Sequence, residues 1–60
     1  MTVEFLCNML IAELPVDIVG RQHQHIDSFT AGEVQNSPYR SSLVKDYRFT
    51  SESIKIEVVF

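Results

Sequence analysis

The stretch Ser53 to Phe60 constrains this chain more than any other. Ile54, Ile56, Val58 and Phe60 alternate with Lys55, Glu57 and Val59. A period of two sends the first set to one face and the second, mostly polar set to the other, the pattern of a half-buried β-strand. The strand runs to the last residue, so that end of the chain is expected to be tied into the fold.

Its partner is read directly upstream. In Leu43 to Thr50, Leu43, Tyr47 and Phe49 share a face with Lys45, while Val44, Asp46 and Arg48 share the other. Thr50-Ser51-Glu52-Ser53 is expected to close a hairpin with a four-residue loop. That register sets Phe49 opposite Ile54, Tyr47 opposite Ile56 and Leu43 opposite Phe60, all on one face. Arg48 then faces Lys55, a repulsion that the diagonal pairs Arg48–Glu57 and Asp46–Lys55 are expected to offset. A three-residue loop would put Phe49 opposite Lys55, against the hydrophobic pattern.

The N-terminal segment Thr2 to Leu14 carries two periodicities. Val3, Leu6, Cys7, Leu10, Ile11 and Leu14 form one helical stripe. Thr2 suits the N-cap, and Glu4 in the first turn suits the helix dipole. Val3, Phe5, Cys7, Met9 and Ile11 also alternate as a strand would, but Leu6 and Leu10 spoil the polar face. Such a length is ordinary for a helix and long for a strand, so a helix is expected. Pro15 stands where it should already have ended. Beyond it, β-branched Val16, Ile18 and Val19 predict one strand within residues 16–26, with Gly20 ending or bulging it. Residues 27–42 read as a long connection with a short element near Glu33 to Gln35.

These elements predict a single α+β domain over residues 1–60: an N-terminal helix packed on a small antiparallel sheet that ends in a C-terminal β-hairpin. Sixty residues bury only about 60% of their unfolded surface, so a staple is often needed. Cys7 is the only cysteine, which excludes an intrachain disulfide. Oligomerisation remains, and a homodimer is expected.

Charge narrows the function. A formal net of −3 argues against a dedicated nucleic-acid binder. The apolar N-terminal run lacks a basic leader region, carries Glu4 and Glu13, and is too short to span a bilayer. With one free cysteine this suggests a reducing, cytoplasmic setting and no membrane partner.

Three constellations carry chemical possibilities. His23, His25 and Asp27 would share one face of a strand, and two histidines with a carboxylate are a ligand set for zinc or iron, with Cys7 or Glu33 as a further ligand. Against that, His-x-His is a short motif with an ordinary reading as a solvated polar segment. Cys7 with His23 or His25 would make a nucleophile and base, but Cys7 sits in the apolar stripe, where a small buried hydrophobe is the simpler reading. Tyr39-Arg40 and Lys45 to Phe49 interleave basic and aromatic residues as single-strand binders do, though the four basic residues of this half of the chain, Arg40, Lys45, Arg48 and Lys55, are few. Ser37-Pro38 is a generic phosphorylation dipeptide. No catalytic motif and no cofactor motif is present.

The reading left is a non-enzymatic protein-interaction module, an adaptor or inhibitor that self-associates. Its partner is a protein, met through a free sheet edge or through apolar residues on the helix flank. Phe5, Met9, Tyr39, Arg40 and Arg48 are the interface candidates. A regulatory metal domain using the histidines, or a weak nucleic-acid binder, is the alternative.

Overall fold

In the computed structural model, which describes residues 1–59, the alternating C-terminal stretch lies inside a four-stranded sheet. The strands are β1 (Pro15–Val19), β2 (His25–Thr30), β3 (Val44–Phe49) and β4 (Ile54–Val58), in the order β2-β1-β4-β3. A short helix, α1 (Val3–Cys7), and a 3₁₀ helix (Ala31–Asn36) supply the second layer. The fold is α+β with a C-terminal hairpin.

The sheet is mixed rather than antiparallel. β1 pairs antiparallel with β2 but parallel with β4, Val16 beside Ile54 and Ile18 beside Ile56. β2 and β3 therefore run the same way, and the chain must travel back the length of the sheet between them. Residues 31–43 make that crossover, which is why the connection is long. A period-two pattern fixes which side chains face inward but carries no strand direction.

The hairpin register is as expected near the turn, with Phe49 opposite Ile54 and Tyr47 opposite Ile56. The Thr50 N–H donates to Ser53 O at 2.8 Å, closing the four-residue loop. Further on, Lys45 is an extra residue, so Val44 rather than Lys45 pairs with Val58. The Val59 N–H then bonds Leu43 O at 3.0 Å. The expected Leu43–Phe60 pair involves a residue outside those described.

Two further expectations need correction. The helix stops at Cys7 instead of Leu14. Its N-cap is Thr2, whose Oγ1 accepts the Phe5 N–H at 3.1 Å. After Asn8 the bonds run three residues back instead of four, Met9 N–H to Leu6 O and Leu10 N–H to Cys7 O, both at 3.1 Å, so the last turn tightens and the helix ends. Beyond it the chain is tied to the start of the 3₁₀ helix: the Ala31 N–H bonds Leu14 O and the Gly32 N–H bonds Ala12 O, both at 2.9 Å. The segment 16–26 is likewise not one strand. Gly20 ends β1, a 3₁₀ turn (Arg21–His23) reverses the chain, and β2 returns beside β1.

The inner face carries the core. Val16, Ile18, Ile54, Ile56 and Val58 pack under Val3, Leu6 and Cys7 of α1 and under Ala31 and Val34 of the 3₁₀ helix. Each of the isoleucines, fully buried, is worth about 1.5–3 kcal/mol. Leu10 and Leu14 of the helical stripe pack against this core, whereas Ile11 is 69% exposed.

The cover does not reach β3. Tyr47 and Phe49 share the inner face with Ile56 and Ile54, yet they are 44% and 56% exposed while their partners are buried. A helix of five residues is about 7–8 Å long, against about 20 Å for the expected one. It roofs the two central strands and leaves the edge strand open beyond Val44, which still packs against the core.

Candidate interaction site

β3 is one open edge of the sheet, and its free length is bounded at both ends. At one end Met1 and Thr2 lie against it: the Val44 N–H bonds Met1 O at 2.8 Å, and Thr2 bridges to Leu43. At the other end the hairpin loop begins at Thr50. Residues 45–49 remain. Alternation from the Thr50–Ser53 bond turns the backbone groups of Arg48 and Asp46 toward β4 and those of Phe49 and Tyr47 outward.

The outward Tyr47 N–H is held by Asp46, whose Oδ1 accepts it at 2.8 Å. The tyrosine and phenylalanine rings meet edge to face, with centroids 6.1 Å apart at 87°. Met1 and Leu43 at the end of the strand, Phe5 on α1 and Met9 in the turn after it are also more than half exposed. Tyr47, Phe49 and Leu43 escape a reading from sequence because their alternation marks them as core. The signal needed was the strand order, which decides how far a small cover reaches.

The other interface candidates are dispersed. Tyr39 is half-buried against the core. Arg40 donates from Nη1 to Gln35 O at 3.3 Å and lies 3.5 Å from Gln35 Oε1. Arg48 faces outward on the opposite side of the sheet from α1, directly across from Lys55. The diagonal pairs expected to relieve that repulsion do not close. Among the described residues the ion pair formed is Lys45 Nζ to Glu57 Oε2 at 3.5 Å, made available by the bulge at Lys45. Arg48 and Lys55 border a shallow depression with His23 and Val19.

The His23–His25–Asp27 cluster is not assembled. His23 lies in the 3₁₀ turn with a left-handed backbone, φ 60°, and Ile26 is an extra residue between His25 and Asp27. Both interruptions break the alternation that would align the three. Among the described residues no group of three His, Cys, Asp or Glu side chains is placed to hold a metal. His25 instead joins a surface chain: its Nε2 is 2.7 Å from Ser28 Oγ, which donates to Asp17 Oδ1 at 2.8 Å. A hydroxyl has one proton, so His25 is the donor to Ser28. The serine sits between histidine and aspartate, the wrong order for a base to activate it.

Cys7 is buried, and burial pushes its thiol pKa up, away from the thiolate a nucleophile needs. Ser37 of the Ser-Pro dipeptide is 7% exposed, and its Oγ accepts the Tyr39 N–H at 3.0 Å. The Thr30-Ala31-Gly32-Glu33 stretch is a helix-start signal, and the short element expected near Glu33 to Gln35 is the 3₁₀ helix that it opens. Glu33 Oε1 accepts from the Thr30 N–H at 3.2 Å and from its hydroxyl at 2.8 Å.

None of the helices is long and apolar enough among the described residues to cross a membrane. No protein-family model, curated protein or solved structure matches the chain.

Proposed function

We propose that this chain is a non-enzymatic protein-interaction module that binds through the β3 side of its sheet and associates with itself. The observation that carries the reading is the bare inner face of β3. Tyr47 and Phe49 stand on the core side of the sheet with nothing over them. In so small a domain, exposed aromatics beside an open edge are the composition of an interface centre. Phe5 on α1 and Met9 just beyond it add further exposed apolar surface. The groups that would serve catalysis point the other way, with a buried Cys7 and histidines spent on a turn and a surface hydrogen bond.

Sedimentation velocity across a wide concentration range tests this reading, with the wild type beside a Tyr47→Glu/Phe49→Glu variant. The wild type should shift from monomer toward dimer as concentration rises. The variant should stay monomeric with the wild-type far-ultraviolet spectrum. A wild type that sediments as a monomer throughout, with the variant indistinguishable from it, contradicts self-association.

A further inference from the structure

The register of that self-association is written into the free edge. We propose that two copies join antiparallel through β3 about a two-fold axis at Tyr47, extending the sheet, with Asp46 of each copy paired to Arg48 of the other. This rests on the reading of β3 as the interface and adds its partner and its geometry.

Three observations converge on it. The free edge spans residues 45–49, blocked at one end by Met1 and Thr2 and at the other by the hairpin loop. Its midpoint is Tyr47. An antiparallel copy centred there uses the whole of the span, whereas one centred on Arg48 uses only residues 47–49. Second, the backbone parity is right. Tyr47 and Phe49 point their N–H and C=O outward, so Tyr47 meets Tyr47 as a hydrogen-bonded pair, and the bulge at Lys45 ends the regular ladder on either side of it. Third, the same register sets Asp46 opposite Arg48 twice, an attractive pair by symmetry. A copy centred on Arg48 would keep the backbone parity, pairing Tyr47 with Phe49, but would oppose Arg48 to itself and lose both Asp46–Arg48 attractions.

Asp46 has two roles in this arrangement. In the single chain its carboxylate holds the Tyr47 N–H and so covers the hydrogen-bonding group that a second copy needs. On association it releases that N–H to the opposing Tyr47 carbonyl and turns to Arg48 of the other copy. The inner faces then form one surface, with Phe49 and Tyr47 of both copies in a row between the two α1 helices. Edge pairing trades one hydrogen bond for another at Tyr47, so the affinity is modest and sensitive to charge.

Charge reversal tests the register. Asp46→Arg and Arg48→Asp are each expected to weaken dimerisation by about tenfold or more, because each replaces two attractions with two like-charge contacts. Asp46→Arg/Arg48→Asp together should restore it to within a few-fold of wild type. If the wild type dimerises and Tyr47→Glu/Phe49→Glu abolishes this, but the single reversals do not weaken it or the double does not recover it, the register is wrong while the interface stands. If the wild type never associates, or associates with Tyr47→Glu/Phe49→Glu unaffected, both fall. A different protein seated on the same edge would be insensitive to the compensating pair, and that outcome also overturns the proposal.

Discussion

Asp46 Oδ1 lies 2.8 Å from the backbone nitrogen of Tyr47, the residue at the middle of the open β3 edge. The opposite edge repeats the device: Asp27 Oδ1 accepts the Ser28 N–H of β2 at 2.9 Å. In each case an aspartate occupies the N–H of the residue that follows it, on a strand with no neighbour on one side. Unpaired edge groups template aggregation, and a local carboxylate is an inexpensive way to occupy one. The edges differ in what surrounds the cap. β3 adds exposed aromatics, whereas on β2 Phe29 is packed against the core.

The β2 cap gives a simple test. Asp27→Ala should destabilise the fold by about 1 kcal/mol or less, the value of one partly exposed hydrogen bond. It should also speed amide exchange at Ser28. Exchange by NMR with a thermal melt checks both, and an unchanged Ser28 rate would show that the contact does not persist in solution.

Glu33 sets an acid response. Hydrogen bonds from the Thr30 hydroxyl, and then from its backbone N–H, hold the Glu33 carboxyl below the usual glutamate range. A depressed carboxyl contributes stability that is present above its unfolded pKa and lost as pH falls through its folded one. Stability should therefore fall on acidification through and below the glutamate range. In Glu33→Gln that part of the pH dependence should disappear, with stability lowered at neutral pH. Melts at a series of pH values compare the two.

The crossover has one tight contact. A Cβ added at Gly32 would sit 2.9 Å from Ala12 Cβ and 3.3 Å from Ala12 O. Neither atom belongs to a flexible side-chain end, so the backbones must separate, and the Gly32–Ala12 hydrogen bond stretches with them. Gly32→Ala should cost about 1–3 kcal/mol. Ala12→Gly removes the nearer atom, so adding it should recover part of the loss; denaturant titration of the single and double variants measures both.

Cys7 reports on opening. Burial raises its thiol pKa, so alkylation of the folded chain at mildly alkaline pH should be slow and limited by exposure of the core. The raised pKa also predicts stability that is intact below the ordinary thiol range and lost as pH rises through it. Alkylation followed by mass, with and without denaturant, gives the rates. Fast labelling of the folded chain would place the thiol outside the core.

Much of the fold is legible in the sequence, and the losses have particular causes. Ile54 to Val58 and the Phe49–Ile54 and Tyr47–Ile56 pairs follow from alternation and loop length. Thr2 as a cap follows from its side chain. The helical stripe through Leu14 is partly misleading: Leu10 and Leu14 do reach the core, but from a turn and an extended segment past the end of α1, tied through Ala12 and Leu14 to Gly32 and Ala31. The parallel β1–β4 pairing has no sequence signal of its own. The bulges at Ile26 and Lys45 insert one residue each, and one residue suffices to undo the His23–His25–Asp27 alignment and to set Val44 rather than Lys45 opposite Val58. Phe5 and Met9 are exposed as expected, whereas Tyr47 and Phe49 depend on strand order and cover, which are properties of the whole fold.

The most direct test of association through β3 is a dilution series followed by ¹H–¹⁵N NMR. The account predicts concentration-dependent shifts concentrated at residues 45–49, with the Tyr47 amide largest, and little change along β2. Spectra that do not change with concentration, or changes centred on Asp27 to Thr30, would contradict it.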